Sequence, residues 1–339
     1  MSSLPTARFK VSKNCNADDG VVRWDAAKSI WAGGMAGVAI GLGPLTFSWS
    51  ALVVFMGLTA LTICLGHSLG MHRLLIHRSF KAPLWLERLM VWLGTLVGMA
   101  GPIGMIRLHD MRDWAQRQKT CHDYHAHRTS MVRDYWWQVH CRLDLTHPPI
   151  FDLEERVAED PYYRWVERYW MAQQIPVAII LFALGGWGWV VWGICVRVTA
   201  SLFGHWLIGH LAHRRGPQDW TIDDTAVQGH NVPAAALISF GEAWHCNHHA
   251  FPDSARMGLL SGQHDPGWWV LRLLKALRLV SHLNEPRHVQ QRKGLRPKSP
   301  DTLQQVMQTG VADARSGKSG GGDLPLEVQA ASQAGQSCN

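Results

Sequence analysis

The residues with most chemical content lie in the run Gly241-Glu242-Ala243-Trp244-His245-Cys246-Asn247-His248-His249-Ala250-Phe251-Pro252. His245, His248 and His249 stand at spacings of 0, +3 and +4. On one helical turn those positions share a face, so three imidazoles converge on one small volume. Neutral imidazole suits iron, zinc and copper, and a histidine-rich site favours redox metals over magnesium or calcium. His72 and His77, five residues apart, follow directly from a long uncharged stretch and form a second candidate pair. His109 follows another such stretch. Of His205, His210 and His213, at the end of a third, His213 is nearest the polar boundary and is the best ligand candidate. His67, close to the apolar side of His72, reads as a structural or supporting residue. The group His122, His125 and His127 reads either as a ligand donor or as a solvated loop.

The elements that position these residues are long and apolar. Ser29 to Gly66 contains no Asp, Glu, Lys or Arg, and neither does Tyr169 to Val196. A membrane span needs about 20 predominantly apolar residues. Ser29–Gly66 accommodates two spans around a turn at Gly41, Gly43, Pro44 and Ser48. The later stretch divides at Gly185-Gly186-Trp187-Gly188, and its second helix runs on to His213. Arg197 interrupts that helix at a depth where a charge is costly, so it is expected to snorkel or pair. Leu89 to Ile106 is uncharged for 18 residues between Arg88 and Arg107. Were it a further span, His72/His77 and the later histidines would face opposite sides of the membrane. It therefore reads as a re-entrant or interfacial helix broken at Gly101-Pro102.

The expected architecture is an all-α membrane protein: four transmembrane helices in two hairpins, with a cytoplasmic helical cap carrying the histidine clusters. Residues 1–26 read as a loosely ordered polar arm, 27–285 as the membrane domain and 286–339 as a disordered polar tail. Arg73, Arg78, Lys81, Arg214 and Arg215 gather on the histidine side, while the hairpin turns carry no charge. That places the active site and both termini in the cytoplasm, on a multi-pass protein of the cell (inner) membrane. The mean hydropathy of −0.08 conceals this segregation. Seven scattered cysteines in 339 residues give no disulfide framework or zinc spacing, and no secretory signal is evident at the N-terminus. The net charge of +7 is dispersed and no nucleic-acid motif occurs, so no nucleic-acid partner is expected.

With those residues in view, positions 27–283 resemble the membrane-bound fatty-acid desaturases of the acyl-CoA stearoyl/Δ9 type. Gly241 to Arg256 looks like that family's third histidine box, and Gly70-Met71-His72-Arg73-Leu74-Leu75-Ile76-His77-Arg78-Ser79-Phe80 like its first. Asp160-Pro161 through Trp170 and Asp265-Pro266-Gly267-Trp268-Trp269 are similar to weaker family segments. Two positions depart. The family's second box carries three histidines as HxxHH, whereas the corresponding stretch here is His109-Asp110-Met111-Arg112-Asp113. The family also has an Asn four residues before the last-span histidine, where this chain has Gly209 before His213.

The resemblance implies two iron ions that activate O₂ and remove hydrogens from an unactivated acyl chain lying in an apolar tunnel. It also implies a separate electron-transfer protein, since no cytochrome domain fits in the polar tail. The substrate would be a fatty acyl chain on CoA, a carrier or a membrane lipid. The expected metal set is His72, His77, His109, Asp113, His213, His245, His248 and His249, with His122 or His125 in reserve. Asp113 lies four residues after His109 and would share its helical face, either as an oxygen ligand or as a hydrogen-bond partner of a ligating histidine. Arg112 is always charged and cannot ligate, so it is expected to neutralise Asp110 or a head group. Trp114, Trp206 and Trp244 are read as packing residues, with the tunnel mouth as the alternative. The same scaffold would serve a lipid hydroxylase or other lipid oxidase. A histidine-rich metal transporter is disfavoured, because transporters place ionisable residues at mid-span, whereas here they crowd at span ends.

Overall fold

The computed structural model describes residues 8–288 and 292–306. Helices dominate, with three two-stranded antiparallel pairs added to the all-helical expectation. β1 (Phe9–Lys10) and β2 (Gly20–Trp24) lead into α1 (Ala26–Leu42); β2 pairs with β3 (Cys141–Leu145) and β1 with β4 (Ile150–Phe151). Residues 8–26 are therefore built into the fold and are not a loose arm. The physical reason is Arg8, a buried cation that needs partners. It donates to Asp110 Oδ2 and Glu154 Oε2, each at 2.9 Å, and to the Ile76 carbonyl at 2.9 Å.

Asp25 caps α1 by accepting the Lys28 N–H, and a short 3₁₀ turn at Pro44–Thr46 follows. Ser48 caps α2 (Trp49–Leu61) in the same way. That helix continues as a wider π-type coil over Thr62–Ile76, which brings His72 to its end. α3 (Leu84–Thr95) lies tightly against this coil at glycine contacts. A Cβ on Gly66 would sit 2.4 Å from Gly94 N, and one on Gly70 2.6 Å from the Met90 carbonyl carbon. α4 (Pro102–Gln116) starts afresh with Pro102 at its first turn. The uncharged stretch 89–106 is thus two helices with a break at 96–101, as its Gly-Pro pair implies. α5 (Asp123–Ala126), α6 (Met131–His140), α7 (Glu155–Ala158) and α8 (Pro161–Arg168) complete the polar layer before the second apolar stretch.

That stretch comprises α9 (Gln174–Val190), a π-type segment Val191–Val196 and α10 (Arg197–Ala212). Trp49–Ile76 (28 residues) and Met171–Ala212 (42 residues) are long and apolar enough to cross a membrane, and α1 is a shorter apolar helix. The longer one is not straight. Gly186 has φ 68° and ψ −163°, a conformation suited to glycine. Gln174 and Arg197, nearly equidistant from it, meet at 2.8 Å, so the chain folds back on itself there. Arg197 is fully buried and paired, as its depth requires. It donates to the Leu96 carbonyl at 2.6 Å, a helix-end acceptor that α3 leaves open, and to the Gly193 carbonyl.

α11 (His245–Ala250) and α12 (Pro266–Ala276) close the polar layer. β5 (Trp220–Ile222) pairs with β6 (Leu295–Pro297), and Leu295, Leu303 and Val306 pack with Trp220 and Phe251. Residues 292–306 are therefore integrated rather than disordered, because their few apolar side chains have a buried cluster to join. Residues 289–291 and 307–339 of the expected disordered tail lie outside the described residues.

Candidate metal centre

Each histidine is delivered by a different local device. His72 stands near the end of the π-type coil and His77 caps it; His109 projects from α4; α11 supplies His245, His248 and His249 from little more than one turn. Two clusters result. In the first, His72, His77, His109 and His248 bring one nitrogen each within 4.8 Å of one another. His77 Nε2 lies 3.2 Å from His109 Nε2, and the His248 ring is 4.5 Å from His72 and 4.7 Å from His77. In the second, His213, His245 and His249 meet as closely, with Nε2–Nε2 separations of 2.9 Å and 3.0 Å. Adjacent residues His248 and His249 belong to different clusters, their rings 6.0 Å apart. One helical turn therefore joins both clusters.

Burial favours the neutral form of several of these imidazoles. Burial pushes His77, His213, His245 and His248 well below the ordinary histidine value, and the neighbouring imidazoles add to it. Burial, followed by the nearby Arg292 cation, lowers His249 to about 3. A neutral ring with a free Nε2 lone pair is the form that binds metal. Oxygen acceptors stand behind three of these rings. His72 Nδ1 lies 2.5 Å from Glu242, His109 Nδ1 3.0 Å from Asp110, and His213 Nδ1 2.7 Å from the Gly209 carbonyl. Glu242 is itself fixed by Ser68 at 2.6 Å and by Arg73. Although burial would raise its pKa, His72 and Arg73 overcome this and hold it below the carboxylate range.

A fatty acid desaturase family profile matches residues 47–259, a segment holding both clusters. This chain belongs to the fatty acid desaturase family. An sn-2 palmitoyl-lipid 9-desaturase from Nostoc sp. (strain 36) is 34% identical over 247 residues, spanning 70% of this chain and 83% of that protein. An sn-1 stearoyl-lipid 9-desaturase from Anabaena variabilis is 35% identical, spanning 71% and 86%. An acyl-CoA 5-desaturase from Anemone leveillei is 32% identical, spanning 74% and 77%.

For a desaturase, the donor set fits an iron-type centre: all-nitrogen clusters of buried rings, three of them oriented by oxygen acceptors behind them. Seven of the eight residues expected as ligands lie in the two clusters. The eighth, Asp113, does not. Its carboxylate is taken by Arg117 at 2.9 Å and by Arg292 at 3.1 Å, and these cations overcome burial to keep it ionised. Arg292 comes from the segment that the sequence assigned to a disordered tail, so this commitment was not legible. Of the two expectations for Arg112, the pairing with Asp110 is not formed. Asp110 is satisfied by Arg8 and His109, while Arg112 donates to Gln138 Oε1 at 3.2 Å.

A cavity of about 350 Å³ adjoins both clusters and extends between the long apolar helices past Thr59, Ile63, Ala200, Gly204 and Ile208. His67 and His205 line it outside both clusters, their rings 4.7 Å apart in an edge-on contact. Trp114, Trp206 and Trp244 are buried packing residues; Trp206 donates to Asp134 and Trp244 to the His264 carbonyl. A third polar group was not foreseen: His127, Asp134 and His210, all buried. The only hint in the sequence was the density of histidines at 122–127.

Proposed function

We propose that this desaturase introduces a double bond into a fatty acyl chain threaded through the cavity, with two irons held by His72, His77, His109 and His248 and by His213, His245 and His249. The observation that carries this reading is the meeting of both imidazole clusters at the polar end of a mostly apolar cavity. Bound iron would supply the activation of O₂. The protein's own residues orient the rings, keep them deprotonated and hold one stretch of hydrocarbon beside the clusters. In the overall reaction two C–H bonds break and one C=C bond forms. O₂ takes two electrons from the acyl chain and two from a separate electron carrier, and leaves as two waters after gaining four protons.

The same reading extends to the membrane. The fold-back at Gly186 and the turn at Gly43-Pro44 support four spans in two hairpins. Both turns lie at one end, where Trp192 Nε1 donates to the Gly43 carbonyl, and the clusters lie at the other. Ile40, Trp49, Val53 and Leu184, each about 70% exposed or more, suit contact with lipid tails. Arg73 no longer counts towards the orientation, because it is fully buried against Asp265 and Glu242. Arg78, Lys81, Arg214 and Arg215 remain, and their charge supports a cytoplasmic side for the clusters and both termini. The substrate head group follows the relatives, as a membrane acyl-lipid or acyl-CoA.

Fatty-acid profiling of cells with and without the protein tests the reaction, with a new monounsaturated species expected. Appearance of a hydroxylated acyl chain in its place would select the lipid-hydroxylase alternative. No change in the presence of a reducing partner would overturn the desaturase assignment. For the topology, single cysteines near Pro83 and His109 should be labelled from the same side.

A further inference from the structure

The two clusters are unequal: the first has four imidazoles and the second three. On α4, the residues one turn beyond His109 are Arg112, a permanent cation, and Asp113, which is bound to two guanidinium groups. Neither offers a free donor to the second cluster. Yet the His127 ring stacks on His213 with centroids 5.1 Å apart and planes 7° apart. That matches the spacing inside the cluster, where ring centroids are 4.5 to 5.5 Å apart.

We propose that His127 is the fourth nitrogen ligand of the second metal position, oriented by Asp134 and admitted by Gly209. This inference rests on the diiron reading above. Four observations support it. His127 is 1% exposed, and its Nε2 is buried with no hydrogen-bond partner among the described residues. Its Nδ1 is held 2.9 Å from Asp134 Oδ2, which fixes the proton on Nδ1 and leaves the Nε2 lone pair free. Asp134 is itself clamped by His210 and Trp206, each at 2.8 Å. The backbone of His127 is left-handed at φ 53°, a conformation that non-glycine residues adopt rarely and that functional sites often retain.

Gly209 supplies the space. It lies on α10 one turn before His213, and a Cβ added to it would stand 3.9 Å from His127 Cε1 and 4.0 Å from Nε2. Any longer side chain there would occupy the gap into which the His127 edge faces. A loop histidine thus takes the place of a donor that α4 lacks.

The test measures iron per chain and Mössbauer spectra of the purified full-length protein in detergent. The unaltered protein should hold two irons, His127→Gln and His213→Gln about one each, and His125→Gln two. His125 is also buried and only two residues away, but its ring packs edge-on against Tyr124 and does not stack on His213. If His127→Gln is poorly folded, His127→Gly with added imidazole replaces it, and imidazole should restore the second iron and its spectrum. Two irons with an unchanged spectrum in folded His127→Gln, or in His127→Gly without imidazole, would overturn the assignment. Iron absent from the unaltered protein would instead sink the diiron reading itself.

Discussion

The two histidine clusters share one helical turn but are built on different principles. The first is assembled from positions that local sequence nearly guarantees. His72 and His77 flank the end of one coil, and His109 and His248 are each fixed by their own helix. Its outer partners, Glu242 and Asp110, sit in or beside the same motifs. The second draws His213 from the end of α10 and, in our proposal, His127 from a left-handed loop residue braced by α6. On that proposal, the two clusters keep a shared turn while one of them draws its remaining donors from elsewhere in the fold.

The comparison breaks most severely at the turn itself. His248→Ala should cost the first position its metal and His245→Ala the second, each reducing desaturation more than about a hundredfold. That exceeds the 10–100-fold loss expected for an outer partner. Retention of two irons by either variant would show that the rings converge without ligating.

Acid should affect both clusters. His249 is lowered to about 3 when folded, against an ordinary value of 6.5, and several neighbours are lowered too. Between those limits the unfolded chain binds more protons, so stability is full above pH 6.5 and falls as the pH drops towards 3. Iron retention should fall over the same window, because protons compete for the same nitrogens. Thermal unfolding of the metal-free protein between pH 8 and 5 checks the sign; a flat profile would contradict the buried neutral rings.

Outer partners give a sharper contrast. Glu242→Gln should weaken iron binding only in the first cluster and Asp134→Asn only in the second, each by about 10–100-fold. Chelator competition read by spectra of the two irons distinguishes them. Equal loss from both positions in either variant would mean that the clusters are not separable.

Gly204→Leu acts on neither cluster. Gly204 borders the cavity, and a Cβ added there would meet no atom within 4 Å, so leucine would fill open space. Iron content should stay at the unaltered level while longer acyl substrates lose turnover by about tenfold, or roughly 1.4 kcal/mol. Unchanged chain-length preference would move the acyl path elsewhere. The smallest effect is expected for Asp113→Asn. Iron should be unchanged, and stability should fall by about 1 kcal/mol as the half-exposed Arg117 and the more buried Arg292 lose a carboxylate. Loss of an iron would restore Asp113 as a ligand.

Much of this protein was legible from spacing alone. The 0, +3, +4 histidines must share a face on any helix, uncharged runs longer than a span must avoid water, and Gly186 and Gly101-Pro102 must interrupt helices. Local backbone geometry and transfer free energy decide those points, and neither needs a distant partner. What only the tertiary structure decided are the long-range pairings. Arg292 claims Asp113 across 179 residues, Arg8 reaches Asp110 across 102, and Asp134 holds both His127 and His210. A buried charge or imidazole must find some complementary group, but which one depends on how the elements pack. Spacing along the chain carries no record of that choice.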